Sequence, residues 1–384
     1  MNPRHFRIDR SRRRWSLVFG LIMLVFSTHA TADEPIVLVS SFAGGDDGGI
    51  SAFKLDTEHR LNLVHKTKGI PNPFFFDVAP DRKFLYSIYA ETFGGEKTEQ
   101  VAAYALSLPD GRLKELNRQT THGTASCFVE VDRNGKALLV ANYSSGSVIS
   151  YGLQSDGRLS EPVTFVQHSG GSVNEARQKE PHAHCFVISP DSRFAFAADL
   201  GIDQVVSYSL DPVSAKLTPA RQPFARTMPG AGPRHAIFHP DGRKFYVINE
   251  LLNSVTFFEY IASDGFLIEK QTISTLPADF KGESYCADLK ITPNGRYLYG
   301  TNRGHDSLAM YSIADDGQLT LLGIEPSHGK GPQNLAITKD GKTLLCANMP
   351  GNNVATFEIR EDGRLNLVGT PIEVVSPSCI RILE

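Results

Sequence analysis

The sequence contains no CxxC pair, no HExxH, no other Cys/His spacing suited to a metal ion, no GxSxG elbow, no Walker loop and no dinucleotide-binding glycine fingerprint. These absences disfavour metal, nucleophilic-serine and nucleotide chemistry, each of which needs its residue types at those spacings. Cysteine is sparse. Cys127, Cys185, Cys286, Cys346 and Cys379 are odd in number, widely spaced and mostly set in apolar runs, so they read as buried thiols rather than as a disulfide framework. Neither sign of charge dominates, with 39 Lys and Arg against 42 Asp and Glu. Long hydrophobic runs are missing too: the one from Leu17 to Phe26 is about half of the ~20 residues that cross a bilayer.

That run belongs to a distinctive leader. A basic stretch ending in Ser11-Arg12-Arg13-Arg14-Trp15 precedes it, and Ala30-Thr31-Ala32 comes after it, just before Asp33. The pattern predicts a secretory signal peptide over residues 1–32, cleaved after Ala32, and hence a periplasmic or secreted protein not held in a membrane. Ser11-Arg12-Arg13 matches the start of a twin-arginine signal, but the residues from Arg14 onward do not continue that pattern. Six Arg and one Asp leave with the leader, so the formal charge falls from −3 to −8. An acidic mature chain gives no footprint for nucleic acid or for an anionic membrane surface.

Residues 33–384 are organised by repeats. One phrase recurs six times: PDRKFLYSIYA from Pro80, RNGKALLVANY from Arg133, PDSRFAFAADL from Pro190, PDGRKFYVINE from Pro240, PNGRYLYGTNR from Pro293 and KDGKTLLCANM from Lys339. A second, a turn followed by leucine, ends at Leu61, Leu113, Leu159, Leu217, Leu267, Leu319 and Leu365, at spacings of 46 to 58 residues. Two hairpin turns per repeat imply four strands per repeat. The prediction is an all-β, seven-bladed β-propeller of four-stranded antiparallel blades in one domain. The count of six against seven points to the ends. IVLVSSF at 36–42 looks like a second strand without a first, and SPSCIRIL at 376–383 like a first strand without a blade. The two termini are therefore expected to share one blade and close the ring.

Aligning the repeats on the first turn puts equivalent residues around one mouth of the central channel. Seven residues before the turn stand Phe74, Cys127, His184, Arg234, Ala287, Gln333 and Ser378; nine after it stand Phe42, Ala90, Tyr143, Leu200, Glu250, Arg303 and Met349. The two positions are expected to face each other across the hairpin, at the end away from the turn. The ionisable members, His184, Arg234, Glu250 and Arg303, come from three consecutive blades. Residues kept for solubility would be spread around the rim, so clustering on one side reads as a pocket. Taken alone, Arg234 and Glu250 also fit a structural ion pair. His182, His235 and His305 lie nearby in sequence, as do Asp199 and Asn302 beside rim positions; His182, His235, Asp199 and Asn302 are assigned to substrate binding.

GPRHAIFHPDGRKFYVINEL, QTISTLPADF, GRYLYGTNRGHDSL, ANYSSGSV and RQKEPHAHCFVISPDSRFAFAADLGIDQV resemble the lactonase-type seven-bladed propeller family, which includes propeller-type 6-phosphogluconolactonases and fungal carboxy-muconate cyclases. The resemblance covers nearly all of the mature chain. It implies a cofactor-free, metal-independent enzyme that opens or closes a lactone ring, and it implies the same four residues, through the PHAH, GPRH, NEL and NRG phrases. GPQNLAI departs from it, with Gln333 where relatives often carry arginine.

The residue types suit that chemistry. Lactone hydrolysis needs a water deprotonated as it attacks and a stabilised charge on the carbonyl oxygen. His184 or Glu250 can be the base, and Arg234 and Arg303 can grip an anion or face the oxyanion. The expectation is an exported monomeric lactonase, 6-phosphogluconolactonase-like, acting on a small, anionic sugar or organic-acid lactone. The alternatives are a muconate-type cyclase and a non-catalytic periplasmic binding or scaffold propeller, since one fold hosts many functions. Rim ion pairs contribute about 0 to 1 kcal/mol to folding, so removing Glu250 or Arg234 is expected to leave stability near the parent's.

Overall fold

Each repeated turn phrase closes a β-hairpin. In PDGRKFYVINE the Asp241 carboxylate accepts the Arg243 amide at 2.8 Å and Gly242 takes φ +69°, so Phe238 pairs with Phe245 and strand Pro233–Phe238 runs antiparallel to Lys244–Asn249. The second turn phrase joins the third and fourth strands in the same way, as with Ile261 opposite Phe266. The computed structural model describes residues 1–3 and 34–384. The predicted signal peptide and its cleavage site lie, but for the first three residues, outside the described residues.

Residues 34–384 form seven antiparallel sheets, six with four strands and the seventh with a fifth short strand, and contain no helix. The innermost strand of each sheet packs beside the innermost strands of its neighbours, all the way around. The result is the expected seven-bladed β-propeller. Its first blade has the order Pro377–Leu383, Ile36–Ser41, Gly49–Leu55, Leu61–Lys68, with Ile36 opposite Leu383 and Ser41 opposite Pro377. The C-terminal strand is thus the inner edge of a blade whose other three strands come from the N-terminus, as the repeat count predicts.

Alternation of buried and exposed residues fades in the second and third strands, which are buried on both faces because each sheet is covered by the next blade. Apolar packing between blades is tied to the turn glycines. A Cβ on Gly363 would lie 2.3 Å from the Tyr297 ring of the preceding blade, and Gly363 itself has φ +81°. Its carbonyl accepts the Tyr299 hydroxyl at 2.9 Å; Gly317 and Tyr246, and Gly157 and Tyr86, repeat the bond. The recurrent DG of the second phrase is therefore an interlock between blades as well as a turn.

The inner strands carry the feature that makes the site. Each has one neighbour only, and side chains supply what a second neighbour would: Asp77 accepts the amide of Val131, Glu130 that of Ile188, Asp288 that of Leu335 and Asn334 that of Ile380. Near the mouth, the pairing of innermost with second strand slips by one residue in six blades, around Cys127, His184, Arg234, Ala287, Gln333 and Ser378. A bulge bends the strand and re-aims the extra side chain. The register corrects one expectation. Glu250 is bonded through its amide to the Gly232 carbonyl at 2.7 Å, so Arg234 is the bulged residue and not the cross-strand partner of Glu250.

Removing residues 376–384 takes away the inner edge of the first blade, together with buried Cys379 and Ile380. A loss of several kcal/mol lowers the melting temperature of a domain this size by on the order of 10 °C; thermal melting of the truncation should show at least that, and an unchanged midpoint would mean the strand does not hold the ring.

Candidate active site

Bulging at His184 and Arg234 and the strand ends at Glu250 and Arg303 bring four side chains from three blades to one cavity of about 190 Å³ at the channel mouth. Glu250 is its centre. Oε2 lies 2.8 Å from Nη2 of Arg303 and 3.0 Å from Nε of Arg234, and Oε1 lies 2.7 Å from Nη2 of Arg177. The Arg234 N–H points off the oxygen, so that contact is coulombic, while Nη1 of Arg234 donates to the Ala287 carbonyl. Arg303 is fixed from behind by the carbonyls of Tyr285 and Cys286.

Burial alone would raise the Glu250 carboxyl, but Arg303, Arg234 and Arg177 outweigh it and hold the group below its ordinary value. Glu250 is therefore anionic and a poor proton acceptor. Arg234 is moved the other way, down to about 10, by burial and then by Arg303; it remains a cation at neutral pH. Burial, with Arg234 and His235 next, drives His184 well below 6.5, so its imidazole is neutral. Nδ1 of His184 is 3.5 Å from the Cys127 sulfur, and Nε2 has no protein partner and is open to the cavity. Three guanidiniums against one carboxylate leave a charge of +2 around a neutral base.

Arg177 is not among the residues that the repeats pick out. It lies in the connection 168–182, the longest between blades, and Nη2 also donates to the Tyr143 hydroxyl at 3.0 Å. The loop is anchored by Gln178, whose Nε2 donates to Asp203 and to the Leu200 carbonyl. Asp203 also accepts the Ser172 hydroxyl of the same loop and the amides of Gly230 and Gly232, which ties the loop to the strand that carries Arg234. A signal for it exists: 31 residues separate Leu159 from Pro190, against 19 to 26 for the other five, and connections this long are usually functional. The opposite wall is apolar, with Phe74 and Phe93 stacked at 5.1 Å and both in edge contact with Phe42.

The four residues assigned to substrate binding do not line this cavity. His182 stacks on Tyr143 at 4.5 Å and places it beside Arg177. His235 lies deeper, edge-on to His184 at 5.4 Å, with Nδ1 2.9 Å from Asp288. Asp199 is fully buried, bonded to His168 and to the amides of His182 and Gly201; Asn302 is fully buried, bonded to the Thr275 carbonyl and Ser307. One residue along a strand turns the side chain to the other face, which is why neighbours of rim residues point into blades. His305 is bonded to Ser307 and packs on Phe280.

The family described as lactonase, 7-bladed beta-propeller matches residues 36–382. A 6-phosphogluconolactonase of Bacillus subtilis (strain 168) is 36% identical over 300 residues, which is 77% of this chain and 83% of the relative. A 6-phosphogluconolactonase of Formosa agariphila is 30% identical over 308 residues, 78% of this chain and 85% of that one. The structure of a Pseudomonas aeruginosa periplasmic gluconolactonase superposes with a TM-score of 0.85 at 29% identity, covering 91% of this chain and 99% of that one.

Burial removes the rim exposure on which the expected small effect of removing Glu250 or Arg234 rests, because Arg234 is 1% and Glu250 5% exposed. Glu250→Gln leaves Arg234 buried without its counter-charge, and such a loss costs about 3–5 kcal/mol. Urea unfolding should record a drop of that size; a change below about 1 kcal/mol would mean that solvent screens the cluster. A second effect concerns pH. Burial lowers both His184 and, to about 4, His235. Below about pH 6.5 the unfolded chain protonates these histidines and the folded chain does not, so the stability they contribute is full above that pH and lost as the pH falls from 6.5 to 4. Glu130, whose carboxyl is pushed up to about 8 by burial, contributes in the opposite sense, so the histidine part should be read as the difference in pH profile between the parent and His235→Gln.

Proposed function

Because the chain belongs to the lactonase family of seven-bladed β-propellers, we propose that it is an exported, metal-independent hydrolase that opens a sugar or organic-acid lactone at the channel mouth. The observation that carries the reading is a buried carboxylate held by three guanidiniums beside a neutral histidine with an open Nε2. With Nδ1–H directed at the Cys127 sulfur, the Nε2 lone pair takes a proton from water as the water attacks the lactone carbonyl. Arg234 and Arg303 stabilise the charge that develops on the carbonyl oxygen, where fixed donors in a partly dry cavity act most strongly. Collapse breaks the ring C–O bond, and the proton on His184 passes to the leaving alkoxide. The product carboxylate has the net positive charge of the site as its counterpart.

Glu250 acts here through the arginines. Held anionic, it keeps three like charges together that would otherwise repel, and its hydrogen bonds fix the direction of the Arg177 and Arg303 forks. Export rests on the leader at 1–32, with support from the Pseudomonas aeruginosa relative, a periplasmic gluconolactonase.

A panel of γ- and δ-lactones with and without phosphate, assayed before and after EDTA, tests the activity. Turnover that survives EDTA is expected, and His184→Asn should lower kcat/KM by about two to four powers of ten. The base must be unprotonated and its pKa is depressed, so the acid limb of kcat/KM should have its midpoint below 6.5; a midpoint above it assigns the base elsewhere. Absence of turnover with tight binding of a sugar acid would make the protein a binder.

A further inference from the structure

Tyr143 follows directly on strand Ala137–Asn142, beside the base, and its ring is held from three sides. His182 stacks on it at 4.5 Å and donates from Nδ1 to the Tyr143 carbonyl at 3.0 Å, His184 packs edge-on at 5.3 Å, and Nη2 of Arg177 donates to the phenol oxygen at 3.0 Å. That last bond uses an oxygen lone pair. The hydroxyl hydrogen has no acceptor among the described residues, while the side chain is only partly buried and lines the cavity that holds His184 and Arg177. Burial raises the phenol above its ordinary value, with Arg177 pulling the other way, so the group is protonated at neutral pH. A held phenol with a proton to give thus stands next to a neutral base.

Resting on the lactonase reading above, we propose that Tyr143 is a further catalytic residue, the general acid that protonates the ring oxygen as it leaves. His184 takes one proton from the attacking water, and the hydroxide that remains forms the new bond to the lactone carbonyl. When the ring C–O bond breaks, its electron pair stays on the ring oxygen, which takes the Tyr143 proton. The imidazolium of His184 then returns a proton to the phenolate, so both residues end as they began. The proton on His184 reaches the alkoxide through Tyr143. Arg177 favours the transfer, because its hydrogen bond to the phenol oxygen strengthens as negative charge develops there.

The test compares the parent with Tyr143→Phe on glucono-δ-lactone, on γ-butyrolactone, and on the analogue of each that has sulfur in place of the ring oxygen. The oxygen compounds expel an alkoxide, which needs a proton; the sulfur compounds expel a thiolate, which is stable without one. On an oxygen lactone the variant should lose about a hundredfold or more in kcat/KM, and on its sulfur analogue the loss should be at least about tenfold smaller. The loss should fall on kcat rather than KM, because the proton moves only in the transition state. Phenylalanine keeps the ring and its stacking, so a merely structural role would not separate the two leaving groups. Equal losses on oxygen and sulfur compounds mean that the hydroxyl only seats Arg177, and no loss on the oxygen lactones means that His184 protonates the alkoxide directly; either result overturns the proposal and leaves the lactonase reading standing. A parent that opens none of the lactones defeats that reading, and the assignment of Tyr143 falls with it.

Discussion

Every innermost strand of the ring is an edge strand, and the structure depends on how those seven edges are satisfied. A strand with one neighbour presents unpaired amides and carbonyls that in water invite another chain. Here they face a closed channel, where side chains of one inner strand accept the amides of the next, as from Asp77 to Val131 and from Asn334 to Ile380. Closure through 377–383 and 36–41 completes the circle. A gap anywhere would leave buried polar groups without partners, so the blades stand or fall together.

The same edges generate the site. An inner strand held on one side only can accommodate an extra residue, and six of the seven do so at the same level. Four of the bulges turn a side chain into the cavity, and the identity of that residue is free to differ from blade to blade. Cysteine, histidine, arginine and glutamine thus share one geometric role and four chemistries. The cluster around Glu250 carries a cost in burial, since Arg234 and Glu250 are inside the protein rather than on its rim. Desolvation separates the roles of the titratable groups: it keeps His184 neutral, while the arginines overcome it at Glu250.

Turn spacing alone is enough to read the number of blades, the strand order and the sharing of a blade by the two termini. A hairpin turn is a local event, encoded by Asp-Gly or Asn-Gly and by the glycine's positive φ, so it survives translation from sequence to structure. Equivalent positions counted from those turns find His184, Arg234, Glu250 and Arg303 for the same reason. Counting along strands also overreaches. Asp199 and Asn302 are one residue from rim positions and for that reason lie inside blades.

What the sequence by itself determined is whatever repeats with a fixed offset: seven blades, one mouth, and the placing there of His184, Arg234, Glu250 and Arg303. What only the tertiary structure decided is everything that depends on distances between segments with no common register. Arg177 reaches Glu250 from a loop 73 residues away, carried there by Gln178 and Asp203. Burial of the ion cluster likewise arises from how neighbouring blades close over the mouth. Those are properties of packing, set by the sum of many contacts across the ring, and no short stretch of the chain contains them.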